Sequence, residues 1–356
     1  MSTTTTPAVA DSSRIRVGFR TASFAPSRLR YIRQVGAQDV FIDHSSMDEE
    51  PAEFLDTTDT RDRLVLDGDV IPSVDALTHA KDQIEAAGLS FAGIQSLPYS
   101  LYGPIMFDRE NADARIDLVI ELIENLAEAG IPILGYQWNP RGLVPMRTGT
   151  ESLRGGAEGT AFDLDALDDP FSLAETVDRP YEEAELWENY ERFIERVVPV
   201  AEEHNVRMAL HPVDPPGIEQ IGGIPRLFRS VAAFERAMEI VPSEAHGLKL
   251  CLGCFSQIGE DIPALIRRFG ERGQIVFVHF RDVVGTVPSF YETFADEGNY
   301  DAHEAMSALY DVGFSGTIIP DHVPHVEGDT EWGHRANGYT AGYFRGLIHA
   351  IERNAD

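Results

Sequence analysis

Four side chains of the types that bind transition metals occur in the second half of the sequence, each at the end of a predicted β-strand. They are His211 in ALHPVDPP, Cys251 in KLCLGC, His279 in FVHFRD and Asp321 in IPDH. Imidazole, thiolate and carboxylate groups together supply nitrogen, sulfur and oxygen donors, which suits Mn, Fe, Co, Ni or Zn better than Mg or Ca. The pattern predicts one divalent transition-metal ion and does not choose among these five.

Each of these residues also has an ordinary structural explanation. A single histidine near a strand end is usually hydrogen-bonded within the fold, and cysteine is among the most frequently buried residue types. Four such residues at equivalent positions on successive strands are harder to explain in this way. The spacing therefore favours a metal site.

Groups that could transfer protons follow the last of these four positions. His322 is the next residue after Asp321, and Tyr339 comes shortly after it. Removing a proton beside a carboxylate while a hydroxyl departs requires a base, an acid and a cation that stabilises enolate-like charge. We predict that His322 and the side chains that follow it, His325, Tyr339 and Tyr343, include these groups and that the substrate is a small polyhydroxylated acid.

Such a substrate calls for a guanidinium to bind its carboxylate. Arg20, Arg147 and Arg281 each follow or end a predicted strand and are the candidates, and Trp138 is a candidate for the sugar face. The alternatives are surface solvation or structural ion pairs for the arginines, and core packing for Trp138.

The elements that must position these residues alternate between short β-branched or aromatic runs and longer segments of helical period. This alternation predicts a (β/α)8 barrel, in which residues at the carboxyl ends of the strands converge on one face. A helix is predicted over 112–129, ending before Gly130. The predicted strands are 16–21, 39–43, 91–97, 131–138, 207–212, 247–253, 275–283 and 315–322.

The domain organisation follows from the same pattern. Residues 1–13, MSTTTTPAVADSS, have neither a basic region nor an apolar core and are predicted to be a disordered tail, not a signal peptide. Residues 14–356 are predicted to form a single domain. The Gly-, Asp- and Pro-rich stretch 141–180 interrupts the rhythm after strand four, and we predict a long loop there that serves function or subunit contact.

The composition restricts the possible partners. The formal charge is −30, with 59 acidic against 29 basic residues, and the only lysines are Lys81 and Lys249. This balance argues against nucleic acid, and no apolar run reaches membrane-spanning length. It is typical of a cytoplasmic protein kept soluble in concentrated salt, where screening acts within a few ångströms; an ordinary acidic enzyme is the alternative. A disulfide between Cys251 and Cys254 is not expected across so short a spacing.

Several segments together resemble the D-mannonate dehydratase family. They are LHPVDPP, LCLGC, FVHFRDV, PDH and WGHRANGY, with looser similarity in GFRTAS, AAGLSFAGIQSLP and NLAEAGIPILGYQWNP. The resemblance implies a (β/α)8 fold and a Mn-type cofactor held by His211, Cys251, His279 and Asp321. It also implies that His322 and Tyr339 convert D-mannonate to 2-keto-3-deoxy-D-gluconate, without settling which is the base and which the acid.

Some segments depart from the family's pattern. The family's V-H-E segment after strand three is LPYSLYG here, its CTGS is Cys251-Leu-Gly-Cys254, its HLRN is HFRD with Asp282, and its PDHG is PDHV. The four metal-binding residue types are retained while their neighbours differ. These departures bear on which sugar acid is bound and not on the metal-binding residues.

Two other functions fit the same residues. A metal with flanking proton-transfer groups can move hydrogen between carbons, as in a sugar isomerase or epimerase on the same barrel. A relative without catalysis could bind a sugar acid as a sensor. A homo-oligomer is compatible with the sequence, which does not determine the number of subunits.

Overall fold

The eight predicted strands form a closed parallel barrel. In the computed structural model, which describes residues 14–43, 62–141, 143, 146–174, 177–330 and 332–355, each strand pairs with its neighbour in sequence and the last pairs with the first. This confirms the predicted (β/α)8 fold, whereas the predicted tail 1–13 lies outside the described residues. Barrel strands one to eight are Arg16–Thr21, Asp39–Ile42, Ser90–Ile94, Ile133–Gln137, Arg207–His211, His246–Cys251, Ile275–His279 and Thr317–Ile319.

The interior of the barrel is filled with side chains. The rings of Phe41 and Phe277 stack with their centroids 4.4 Å apart, and Ala92 and Ala209 lie in the same buried cluster. Small residues on two strands leave room for the large rings of two others, which is how barrel layers reach close packing. Phe277 lies two residues before His279, so this layer supports the site from below.

Helices surround the barrel. The predicted helix over 112–129 is found at Ala112–Glu128, and Gly130 follows with φ 67°, a left-handed conformation that favours glycine. No described helix is both long and apolar enough to cross a membrane. The helices are Pro26–Gln34 (α1), Val74–Ala86 (α2), Tyr99–Met106 (α3), Ala112–Glu128 (α4), Glu183–Glu203 (α5), Val231–Ile240 (α6), Leu252–Ser256 (α7), Ile262–Gly270 (α8), Ala302–Asp311 (α9) and His334–Ala355 (α10).

The segment 141–180, predicted as a loop, contains two β-strands. Gly149–Ser152 and Glu158–Asp163 form an antiparallel pair, which we call the insert. The second of these strands pairs with Ser289–Glu292, which forms a hairpin with Val283–Thr286 after barrel strand seven. The insert and the hairpin thus make one four-stranded sheet. Phe162 and Phe290 stack within it at 5.6 Å and belong to a small separate core.

Candidate metal centre

The structure brings the four predicted metal-binding residues together at the barrel mouth. His211, Cys251 and His279 are the last residues of barrel strands five, six and seven, and Asp321 follows strand eight. One donor atom from each of the four lies within 4.8 Å of the corresponding atom of every other, and all four side chains are buried. Adjacent strands end side by side, so the register of the barrel alone places these donors around one point.

The hydrogen bonding of the two histidines tests whether a cation fits there. His211 Nδ1 lies 2.7 Å from the carbonyl of Pro212, to which it donates, so the lone pair is on Nε2. His279 Nε2 lies 3.0 Å from the amide of Gln95, and its Nδ1 lies 3.2 Å from an Asp321 oxygen. His211 Nε2 and His279 Nδ1 are both buried, the latter beside Asp321, and neither makes a hydrogen bond of acceptable geometry with a described residue. Unpartnered buried nitrogens beside a thiol and a carboxylate fit a transition metal.

The ionisation of these residues also suits a cation. Burial by itself raises the pKa of the Cys251 thiol, but a hydrogen bond from Cys254 and the charge of Arg281 hold that pKa well below its usual value. Burial likewise opposes ionisation of Asp321, whose pKa the neighbouring histidines hold well below the ordinary value. Burial lowers the pKa of His211. A thiolate, a carboxylate and a neutral imidazole are the forms that bind metals.

Lys249 lies beneath this cluster and was not identified from the sequence. It is 2% exposed, two residues before Cys251, and its Nζ donates to the backbone oxygen of Gln95 at 2.7 Å and to the Gln95 side-chain oxygen at 3.2 Å. Burial lowers the pKa of Lys249 to about 7. Lys249 could have been found in the sequence, because it is a lysine within a largely apolar strand of a chain that contains only two lysines.

Arg281 belongs to a buried ion-pair network. Its side chain is 1% exposed, and its guanidinium donates to Asp321 Oδ2 at 2.9 Å, to Glu292 Oε2 at 3.0 Å and to Asp214 Oδ2 at 2.9 Å. Protein carboxylates therefore occupy the donors that we expected to bind the substrate. The structure favours the structural ion-pair alternative for Arg281, and it adds Asp214 and Glu292 as residues that the sequence analysis missed.

Arg147 and His322 complete this network. Arg147 donates to both carboxylate oxygens of Asp214, at 3.1 and 3.0 Å, and to Glu292 Oε1. His322 Nδ1 lies 2.9 Å from Glu292 Oε1, and His322 Nε2 lies 3.8 Å from Asp321 Oδ2. The guanidinium of Arg147 is thus directed toward protein carboxylates, whereas His322 lies directly beside the metal-binding cluster and is 27% exposed.

Arg20 differs from the other two candidate arginines in its exposure. Its side chain is 37% exposed, and its NH1 lies 3.5 Å from Asp43 and 3.7 Å from Asp321. It therefore lies at the edge of the cluster with surface available to a ligand. Of the three arginines, Arg20 is the most exposed, since the side chains of Arg147 and Arg281 are 14% and 1% exposed.

The described contacts of Trp138 and Tyr339 are with residues outside the cluster. Trp138 is 1% exposed and packs against Tyr190 and Phe193, with ring centroids 5.3 Å away in both cases. Its position favours the core-packing alternative over contact with a sugar. Tyr339 is 44% exposed, and its hydroxyl accepts a hydrogen bond from Arg154 of the insert at 2.9 Å. Its described contacts join α10 to the insert and, through Phe294, to the segment after the hairpin.

Comparisons with known proteins point to one family. The family model described as D-mannonate dehydratase (UxuA) matches residues 26–179 and 163–356. A mannonate dehydratase from Thermotoga neapolitana is 32% identical over 331 residues, covering 80% of this chain and 88% of that protein. A mannonate dehydratase from Streptococcus agalactiae is 31% identical over 309 residues, covering 78% and 87%.

Solved structures agree with these matches. The mannonate dehydratase of Streptococcus suis serotype 2 superposes with a TM-score of 0.80 at 27% identity, covering 96% of each chain. An L-ribulose 3-epimerase superposes with a TM-score of 0.58 at 15% identity, covering 96% of this chain and 97% of that one. The second likeness shows the shared barrel fold alone.

Proposed function

The chain belongs to the D-mannonate dehydratase family and is a lyase of the hydro-lyase class, and we propose that it converts D-mannonate to 2-keto-3-deoxy-D-gluconate. The observation that carries this proposal is the cluster of four buried donors at the barrel mouth of a member of this family. The isomerase or epimerase alternative rests on a barrel that many functions share, and no particular contact favours it.

We propose that His211, Cys251, His279 and Asp321 hold one divalent transition metal. Mn²⁺ is the first choice, and Fe²⁺, Co²⁺, Ni²⁺ or Zn²⁺ would also suit a donor set that contains a thiolate. When bound, this cation supplies positive charge that stabilises the enolate-like charge developing beside the substrate carboxylate. The partly exposed Arg20 offers a guanidinium for that carboxylate.

Two proton transfers are assigned to His322 and Tyr339. Loss of water requires removal of a proton from the carbon beside the carboxylate and donation of a proton to the hydroxyl that leaves the next carbon. The resulting enol then rearranges to the keto acid. His322 lies beside the cluster, whereas Tyr339 is hydrogen-bonded to Arg154, so Tyr339 serves the reaction only if the substrate extends toward the insert.

Incubation with a panel of aldonic acids tests the proposed reaction. The protein, loaded separately with Mn²⁺, Co²⁺ and Zn²⁺ at high salt, should release a 2-keto-3-deoxy acid from D-mannonate. If a 2-keto-3-deoxy acid is released from another aldonic acid and not from D-mannonate, the proposed substrate is wrong and the reaction class stands. Conversion of neutral sugars without a keto-deoxy product would support an isomerase, and binding without turnover across the whole panel would support a sensor.

Three variants test the assignment of residues. Cys251→Ala should abolish product and bound metal together, whereas Tyr339→Phe should abolish product and leave the metal content unchanged. Cys254→Ser introduces the residue that the family's CTGS pattern has at this position, and it should retain metal. Full metal occupancy in Cys251→Ala would contradict the assigned donor set.

We also propose that the protein works in a salt-rich cytoplasm. The support is the formal charge of −30 combined with the near absence of lysine. Homo-oligomerisation stays a prediction from the sequence, and size-exclusion chromatography with light scattering at high salt measures it directly.

A further inference from the structure

His322 has two neighbours with opposite requirements. Its Nδ1 lies 2.9 Å from Glu292 Oε1 and 3.1 Å from the NH2 group of Arg147. A carboxylate can only accept, so contact with Glu292 requires a hydrogen on Nδ1. A guanidinium can only donate, so contact with Arg147 requires a lone pair there. The choice decides which form Nε2 takes, because a neutral imidazole carries one hydrogen.

The hydrogens of Arg147 settle this choice. Its NH2 group carries two hydrogens, and two carboxylates lie within hydrogen-bond distance: Asp214 Oδ2 at 3.0 Å and Glu292 Oε1, which is closer still. Both hydrogens therefore have oxygen acceptors that are better than a ring nitrogen. None remains for His322, so its Nδ1 is satisfied only by donating to Glu292.

Glu292 is itself held in place. Its side chain is 2% exposed, and both of its oxygens accept from Arg281 NH1 at 3.0 Å. It is the last residue of the hairpin strand Ser289–Glu292, which the insert pairs with from the other side. A buried carboxylate between two guanidiniums stays ionised, and its position is fixed by the sheet.

We propose that Glu292 is a positioning residue for the dehydration, holding His322 in the tautomer that carries hydrogen on Nδ1 and a lone pair on Nε2. His322 Nε2 then accepts the proton from the carbon beside the substrate carboxylate. The electron pair of that C–H bond becomes the C=C bond of the enol, while the hydroxyl on the next carbon leaves with a proton from a second group. Glu292 stabilises the imidazolium that results. This inference rests on the proposed function and makes His322 its base.

The tautomer can be read directly by nitrogen NMR of the full chain. Protein labelled with ¹⁵N-histidine and loaded with diamagnetic Zn²⁺ is compared with His322→Gln, which identifies the His322 signals by their loss. We expect a protonated, pyrrole-type Nδ1 and a pyridine-type Nε2 for His322. In Glu292→Leu, His322 Nδ1 loses its acceptor, and the Arg147 NH2 hydrogen that Glu292 accepted is free to donate to Nδ1, so the signals should exchange their types.

Asp214→Asn is the matched control. It removes the same charge from the same two arginines but leaves the Glu292 contact with His322, so the tautomer should stay that of the wild type. A merely structural role for Glu292 would make the two variants equivalent. Glu292→Leu should also lower kcat roughly 10²-fold or more while KM changes little, the pattern expected when a proton acceptor is lost.

Two results would overturn the proposal. One is a protonated Nε2 in the wild type, which needs no Glu292 variant and so decides the matter even if Glu292→Leu does not fold. The other is an unchanged His322 tautomer in folded Glu292→Leu. Because the tautomer is read without substrate, a protein that shows this tautomer but fails to dehydrate any aldonic acid would contradict the proposed function separately.

Discussion

Gln95 connects two buried groups at the base of the metal-binding cluster. Its side-chain nitrogen lies 3.0 Å from His279 Nε2, while Lys249 donates to its backbone and side-chain oxygens. For His279 to bind a cation through Nδ1, its Nε2 must carry the hydrogen and donate it, which requires the Gln95 amide to be turned over so that its oxygen faces His279. Lys249 then keeps its bond to the backbone oxygen. We infer that Gln95 orients the ring of His279.

Replacing this amide should weaken metal binding. Gln95→Leu keeps the approximate volume and removes the acceptor for His279, and affinity for Mn²⁺ or Zn²⁺ should fall about 10- to 100-fold, as for other residues that orient metal ligands. Competition with a fluorescent chelator measures this. Gln257→Leu is the control, because Gln257 is equally buried and its amide has no hydrogen-bond partner among the described residues. Equal losses in the two variants would refute the role of Gln95.

Asp282 has an unusual protonation for a carboxyl group. Burial raises its pKa to about 6, although Ser256 and the backbone of Val283 and Tyr300 donate to it. The folded state therefore binds more protons than the unfolded state between about pH 4 and pH 6. It follows that the contribution of Asp282 to stability is largest at the acidic end of this window and declines as the pH rises through it.

Asp282→Asn should remove this decline. Relative to wild type, the variant should gain about 2 kcal/mol of unfolding free energy as the pH rises from about 4 to 6, because it lacks the carboxyl whose pKa folding raises from 3.8 to about 6. Urea unfolding at several pH values gives the difference directly. A difference between the two proteins that does not vary with pH would show that Asp282 is ionised throughout.

At the same scale, the four candidate metal ligands could be recognised from the sequence because each ends a strand whose apolar pattern is clear. Their partners could not. Arg281 lies 67 residues from Asp214 and 40 from Asp321 along the chain, and such contacts follow from the closure of the barrel. Asp214 carried a usable signal, being three residues after His211. Glu292 carried none, because the hairpin that presents it was not predicted.

Among the elements, barrel strands three and four approach one another unusually closely. A Cβ atom on Gly135 would lie 2.0 Å from the backbone oxygen of Gln95, whereas one on Gly149 in the insert would meet nothing within 4 Å. Backbone atoms cannot move aside as a flexible side chain can. The absence of a side chain at Gly135 is therefore a condition for this pairing and for the position of Gln95.

Gly135→Ala should destabilise the protein by roughly 1–3 kcal/mol or more, the range found for overpacked interiors. It should also weaken metal binding, since Gln95 must shift. Gly149→Ala should do neither. Denaturant unfolding and metal titration of both variants provide the comparison, and an unaffected Gly135→Ala would mean that the strands separate at little cost.

The insert shows where element prediction from sequence stops. Barrel strands are mostly apolar runs, but the strand Gly149–Ser152 is exposed throughout, and Glu158–Asp163 contains a single large apolar residue, Phe162. The second becomes a strand by pairing with a hairpin that lies more than 120 residues further on, through Asp163 with Ser289 and Ala161 with Tyr291. Local pattern could locate the interruption after strand four but could not supply its partner.

For the whole molecule, charge is the dominant feature. Surface arginines bridge neighbouring helices, as Arg196 of α5 does with Asp113 and Asp117 of α4 at 2.9 and 2.5 Å. Such exposed pairs contribute little individually. With 59 acidic and 29 basic residues, the acidic excess of 30 cannot be paired within the chain. Repulsion among these carboxylates opposes the compact state unless salt screens it.

The melting temperature should therefore rise by several degrees as KCl increases from about 0.1 M to about 3 M. Much of the rise should occur at the low end of this range, where the screening length shortens most steeply with added salt. Sucrose at matched osmolality is the control, because it favours burial without screening charge. If KCl and sucrose act alike, screening does not explain the acidic composition.

The sheet built from the insert and the hairpin has a practical consequence for anyone recombining this enzyme with its relatives. The segment after strand four brings Arg147, the segment after strand seven brings Glu292, and the two are bonded across it. A chimera that exchanges one segment alone would pair Arg147 from one enzyme with the residue at position 292 from another, or the reverse. Transferring both segments together keeps the Arg147–Glu292 contact beside His322. Chimeras that receive both segments from one parent should therefore stay active, whereas chimeras that receive only one should lose activity.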